Sequence, residues 1–162
     1  MNIAYTFNYN ADGQMQKISM KTDGKDDEGS YSESGEINYT YNNKVLEKIE
    51  AKSKNVTCSQ TYEYTQAIKN TYNAMPLLLL PEELASDDCV FNVFAITGYL
   101  GNAGANLPTA MTIKNTDLED PSENSTERYN LSYTLNENKA ISSYTLSGYG
   151  ETMTFPCDWT NF

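Results

Sequence analysis

The chain contains no histidine. That absence excludes the Ser-His-Asp and Cys-His arrangements and every imidazole metal site. Positive charge is scarce as well. Eleven basic residues stand against 22 acidic ones, and the net charge of -11 repels phosphate backbones and anionic lipid, so no nucleic-acid partner is expected. The three cysteines, Cys58, Cys89 and Cys157, lie far apart with no C-x-x-C spacing, which supports neither a zinc knuckle nor a thioredoxin-type site. An odd count leaves at least one thiol unpaired within a monomer, and a buried inert cysteine is the reading that base rates favour. Long apolar runs are missing too. The stretches at 75–81 and 89–100, the second containing Asn92 and Thr97, fall short of the roughly 20 residues that cross a bilayer as a helix, so no membrane-spanning segment is expected. Gly101-Asn102-Ala103-Gly104 and Gly148-Tyr149-Gly150 match neither dinucleotide nor P-loop spacing.

What the chain does have is a repeated hairpin. Phe7-Asn8-Tyr9-Asn10-Ala11-Asp12-Gly13-Gln14-Met15-Gln16-Lys17-Ile18 and Tyr133-Thr134-Leu135-Asn136-Glu137-Asn138-Lys139-Ala140-Ile141-Ser142-Ser143-Tyr144 carry large apolar residues at the same four offsets. In both, Asn follows the second of these, with Asp or Asn two positions on. A third copy, one residue shorter, runs from Tyr39 through Asn42-Asn43-Lys44 to Ile49. Residues that tolerate positive φ at the reversal let each segment fold back. Period-two alternation flanks these turns: Ile3, Tyr5, Phe7 and Tyr9 against Asn2, Thr6 and Asn8; Ile37, Tyr39 and Tyr41 against Asn38, Thr40 and Asn42. Val56, Cys58, Tyr62 and Tyr64 repeat it, as do Tyr129, Leu131, Tyr133 and Leu135, with Tyr149, Met153 and Phe155 closing the series. About nine strands result, mostly joined by turns short enough to make neighbours antiparallel.

Residues 22–35 read instead as a long mobile hairpin loop. Their acidic run invites a calcium site, but Lys25 stands where an oxygen ligand is needed, and a solvated loop is the preferred reading.

A layer with one apolar face needs a cover. Residues 75–81 are followed by Glu82-Glu83-Leu84, and Ser86 or Asp87 can cap a helix through Leu100 in which Val90, Val93, Phe94, Thr97 and Leu100 share a face. The expectation is one mainly β domain over residues 1–162. It is a single antiparallel up-and-down sheet curled toward a partial barrel, with one helical insertion at about residues 81–101 covering its apolar face.

The succession of hairpins, then Phe94-Ala95-Ile96-Thr97-Gly98-Tyr99-Leu100-Gly101, Asn106-Leu107-Pro108 and further hairpins resembles a family of domains of unknown function described as porin-like in fold. Its members are secreted or outer-membrane lipoproteins of gut Bacteroidetes. The resemblance implies fold and location: an extracytoplasmic protein, periplasmic or at the outer-membrane surface. It implies no activity, cofactor or catalytic residue. Such lipoproteins begin with a lipidated cysteine, whereas the first cysteine here is Cys58 and Met1 leads straight into a strand pattern. A lipid anchor is therefore expected only if a signal precedes this sequence.

The remaining anomaly is tyrosine, 13 against five phenylalanines. A buried phenol needs a hydrogen-bond partner, so a layer this rich in tyrosine should meet water at its edges. Two readings stand. Tyrosines at the open end of a curved sheet, with Trp159, form a platform for a glycan or a partner protein, or tyrosine simply suits a half-exposed strand, the reading composition favours. The functional expectation is a non-enzymatic binding or scaffolding module with a glycan or envelope protein as ligand, with no catalytic, cofactor-binding or metal residues and no cofactor. A structural component of the cell surface is the alternative, and a glycoside hydrolase built on a carboxylate pair is the weaker one, since the acids here cluster in loops.

Overall fold

The computed structural model describes residues 2–26, 29–70, 101–102 and 104–157. They form β1 (Asn2–Tyr9), β2 (Met15–Asp26), β3 (Gly29–Asn42), β4 (Val45–Lys52), β5 (Val56–Glu63), β6 (Ile68–Lys69), β7 (Asn106–Leu107), β8 (Ala110–Asp117), β9 (Ser125–Leu135), β10 (Ile141–Gly148) and β11 (Glu151–Pro156). One antiparallel sheet takes the order β1-β2-β3-β4-β5-β8-β9-β10-β11, and β6 pairs with β7 separately. The large sheet is an up-and-down meander of nine strands, resumed at β8 after an interruption.

The hairpin repeat has a common mechanism. In the first turn the Asn10 side-chain oxygen accepts from the amides of Asp12 (3.0 Å) and Gln14 (2.9 Å). In the last, the Asn136 side-chain oxygen accepts from Asn138 and Ala140, each at 3.0 Å. Positive φ falls on Gly13 (73°) and Lys139 (63°), so the asparagine serves as an acceptor that ties the turn rather than as the residue in the left-handed region. The shorter copy turns on Asn43 and Lys44, both at positive φ, as a two-residue hairpin does.

Each copy then carries a bulge. Tyr9 opposes Met15 but Asn8 opposes Lys17; Tyr41 opposes Leu46 but Thr40 opposes Lys48; Leu135 opposes Ile141 but Thr134 opposes Ser143. The extra residues are Gln16, Glu47 and Ser142. Strict period two would send Met15 and Ile18 to opposite faces, because they are three apart. The bulge returns both to one face, and both are buried, as are Leu46 and Ile49.

The sheet is two-faced. Met15, Ile18, Ile37, Tyr39, Leu46, Ile49, Ala51, Cys58, Tyr62, Met111, Ile113, Leu131 and Leu146 make a continuous buried layer. The other face is Thr, Ser, Asn, Lys and Glu, laced by Lys17–Glu36 at 2.7 Å, Lys48–Glu50 at 2.9 Å and Glu63–Arg128 at 2.9 Å. These pairs are wet, so each adds at most about 1 kcal/mol and the apolar layer dominates stability.

One expectation is corrected. Residues 22–26 and 29–35 are not a loop: β2 and β3 stay in register out to Asp26 opposite Gly29, projecting past β1 and β4. Gly24, which breaks the apolar pattern, lies opposite Tyr31, whose ring occupies the space a Cβ would take. An aromatic laid across a strand glycine supplies the packing that glycine lacks. The helical insertion expected at about residues 81–101 is not among the described elements. Residues 81–100 lie outside the described residues, the only helical element among the described ones is a short 3-10 turn at Pro121–Glu123, and Gly101 forms a β-bridge to Gln14. Among the described residues β1 and β11 are not paired with each other, so the sheet is open and no barrel is closed, which agrees with the expectation of at most a partial one.

Candidate functional site

Tyrosine lines the dry face from β3 to β10, and the structure shows where each phenol goes. The Tyr64 hydroxyl donates to the Leu46 carbonyl at 2.6 Å and the Tyr133 hydroxyl to the Pro108 carbonyl at 2.8 Å. Tyr62, 5% exposed, donates to the Gln60 side-chain oxygen at 2.9 Å; Gln60 is itself buried. Tyr39, 6% exposed, and the half-buried Tyr41 carry hydroxyls that are fully covered and have no hydrogen-bond partner. Burial pushes the Tyr41 phenol up to about 12 and shifts Tyr39, Tyr62, Tyr64 and Tyr133 upward as well, so all five are neutral donors at physiological pH. Tyr129 also reaches about 12, chiefly through its hydrogen bond to Glu127 at 2.5 Å.

These phenols are internal structure. Trp159, the other residue named for a platform, lies outside the described residues. Two substitutions separate the paired from the unpaired hydroxyls. Tyr39→Phe removes a buried donor that nothing accepts and should raise stability by about 1 kcal/mol. Tyr62→Phe removes the hydrogen bond to the Gln60 oxygen and should lower it by about 1 kcal/mol. Guanidinium unfolding of both variants beside the parent measures the two signs.

Exposed apolar side chains gather instead at the strands that end the sheet. On β11 every residue is exposed, with Met153 at 41% and Phe155 at 37%. Phe155 stacks on Tyr144 of β10 with ring centroids 4.8 Å apart. The turn before it holds Tyr149, 72% exposed, whose hydroxyl donates to the Thr126 carbonyl at 3.0 Å. Thr152-Met153-Thr154-Phe155 contains no charge, no bulge and no proline. Those are the usual devices by which an edge discourages pairing. Sequence reasoning counted Met153 and Phe155 as ordinary inner-face residues. The available signal was topological, since the last strand of a meander has a neighbour on one side only.

No cluster of three or more His, Cys, Asp or Glu side chains is placed to hold a metal among the described residues. Cys58 is a free buried thiol whose pKa burial raises to about 11, which keeps it unreactive. Cys89 lies outside the described residues. No helix among the described residues is long and apolar enough to cross a membrane.

An open antiparallel meander built on repeated Asn-tied hairpins can be compared with known proteins. Residues 1–143 match the family described as Domain of unknown function (DUF4595) with porin-like fold. The chain belongs to this family. Among solved structures, a porin-like protein from Bacteroides uniformis ATCC 8492 is similar at TM-score 0.58 and 20% identity, over 94% of this chain and 56% of its own. Another from Bacteroides vulgatus ATCC 8482 is similar at TM-score 0.57 and 14% identity, over 94% of this chain and 62% of its own. At these identities the likeness is one of fold, and the chain spans less than two thirds of each solved porin-like chain. No curated protein matches it. Membership in DUF4595 accords with the resemblance read from the sequence, and the Bacteroides neighbours accord with the bacterial group.

Proposed function

We propose that this DUF4595 member is a non-enzymatic scaffolding module working outside the cytoplasm, at the envelope of a Bacteroidetes-type cell, with a protein rather than a glycan as its ligand. The observation that carries the reading is the contrast between the two aromatic surfaces. The tyrosine layer is spent on the interior, its hydroxyls bonded to carbonyls and Gln60 or closed off, while β11 offers exposed backbone flanked by Met153 and Phe155. Glycan platforms need an open aromatic face, whereas an exposed strand recruits proteins by adding a strand. The polar outer face, with its lysine–glutamate pairs, also differs from the apolar band that lipid-facing strands carry.

The test is a pair of binding measurements on the immobilised protein. A panel of gut polysaccharides should give flat responses. An envelope extract should yield a retained protein that is lost when β11 carries Thr154→Lys. Saturable polysaccharide binding insensitive to that substitution would replace a protein ligand with a glycan.

A further inference from the structure

Resting on the reading of a protein ligand but on a surface apart from β11, we infer that the polar face of β4, β5 and β8 is a docking trough for an extended acidic segment of a partner protein. Cross-strand register defines it. Lys52 stands opposite Thr57, Glu50 opposite Ser59 with Lys114 on the far side, and Lys48 opposite Thr61 with Arg128 two strands further along the same row. Side chains alternate between the faces of a strand, so Thr57, Ser59 and Thr61 point away from the buried Cys58, Gln60 and Tyr62. The floor over β5 is therefore made of short hydroxyls, and long cationic side chains rise on both flanks. Those flanks are two strand spacings apart, about 10 Å, which admits one extended chain.

The charge on these flanks runs against the rest of the chain. With 22 acids to 11 bases, a cation can readily find an acid, yet these rows hold Lys48, Lys52, Lys114 and Arg128 with Glu50 as their one acid. Lys48 takes Glu50 at 2.9 Å, and Arg128 is held from outside the rows by Glu63 at 2.9 Å. Lys52 lies opposite Glu36, but Lys17 already holds that carboxylate at 2.7 Å and Lys52 adds only a weak attraction to it. Lys114 is exposed and forms no ion pair among the described residues. Two ammoniums on opposite sides of β5 are thus left for an anion from outside.

Charge and size together decide the occupant. The net charge of -11 repels a long polyanion or an anionic membrane, whose many charges extend well past this strip, whereas a short segment feels chiefly the local cations. From Thr57 to Thr61 the floor runs roughly 14 Å at ~3.4 Å per residue, room for a strand of about five residues. Successive side chains of such a strand project to opposite sides, so neighbouring acids reach Lys52 on one flank and Lys114 on the other. Hydroxyls both donate and accept, and the floor can therefore meet the segment's amides and its carbonyls.

Fluorescence anisotropy of a labelled oligoglutamate peptide titrated with the full chain at low salt is the deciding experiment. Saturable binding is expected, lost as salt shortens the Debye length to about 3 Å near 1 M. The double variant Lys52→Gln, Lys114→Gln should bind about tenfold more weakly, the combined worth of two exposed ion pairs. Both lysines are exposed, so its thermal melt should match the parent's. The control Lys25→Gln, Lys69→Gln removes the same charge from elsewhere on the surface and should bind as the parent does. Absence of saturable binding, or equal weakening in variant and control, overturns the inference. So does binding of phosphatidylglycerol vesicles or of a single-stranded oligonucleotide that is lost on the same two substitutions, since the strip would then hold phosphate. Were the peptide not to bind while an envelope protein was still lost on Thr154→Lys, the scaffolding reading would stand and only the trough would fall.

Discussion

An Ile49→Asp chain should lose its cooperative unfolding transition. Ile49 is 2% exposed at the centre of the dry layer, in register with Tyr39 on one side and Gln60 on the other. A carboxylate there has no cation to meet. Burying an unpaired charge costs several kcal/mol after relaxation, of the order of the roughly 5–15 kcal/mol that holds a domain of this size together. The companion variant is Thr61→Asp, one strand away. Thr61 is exposed on the opposite face and in register with Lys48, so an added carboxylate sits in water beside an ammonium. Its stability should stay within about 0.5 kcal/mol of the parent. Thermal melts followed by circular dichroism compare the three proteins, and a sharp transition for Ile49→Asp near the parent's would mean the layer is not one-sided.

Alkali should unfold the protein cooperatively between pH 10 and about 12. Phenols are neutral when protonated, and burial disfavours the phenolate, so the folded-state values lie above the unfolded value near 10. Below pH 10 both states keep their protons and stability is unaffected. As pH climbs past 10 the unfolded chain releases protons that the folded chain retains, and stability falls until the folded phenols titrate in turn. Tyr39 and Tyr62 are deeply buried and should each cost about 1.4 kcal/mol per pH unit, hence about 5 kcal/mol together by pH 12. Tyr41, which titrates at about 12 when folded, Tyr64 and Tyr133 are partly wet and add smaller, screened amounts. Phenolate absorbance and circular dichroism should therefore change together in one steep step. Gradual ionisation with retained strand signal up to pH 12 would show that the layer is open to solvent.

How far these features could be read in advance varies from element to element. The turns at Asn10 and Asn136 were legible because a local motif makes them. Their asparagine accepts amides within four residues, and no distant part of the chain is required. The bulges after them left a trace in the offset of three between Met15 and Ile18, but an odd spacing can also mean that one residue faces out. Only pairing with β1 shows that Gln16 is the supernumerary residue. The 22–35 stretch misled because glycines, serines and acids usually mark loops. Cross-strand register with Tyr31 over Gly24 overrides that composition. For the tyrosines, sequence pointed correctly to a need for partners, yet which hydroxyl reaches Leu46, Pro108 or Gln60, and which two reach nothing, depends on strands distant along the chain.

By itself, then, the amino-acid order determined the antiparallel meander, its two unlike faces, its turn sites and its family. Alternation, turn chemistry and repeats are local, and they act on the backbone before any long-range contact forms. The tertiary structure decided which strands end the sheet among the described residues, that it stays open there between β1 and β11, and that the phenols lie inside while Met153 and Phe155 are exposed. Those outcomes depend on which strands find neighbours. A strand that ends a sheet has the same alternating pattern as one in the middle, and only the missing neighbour sets it apart.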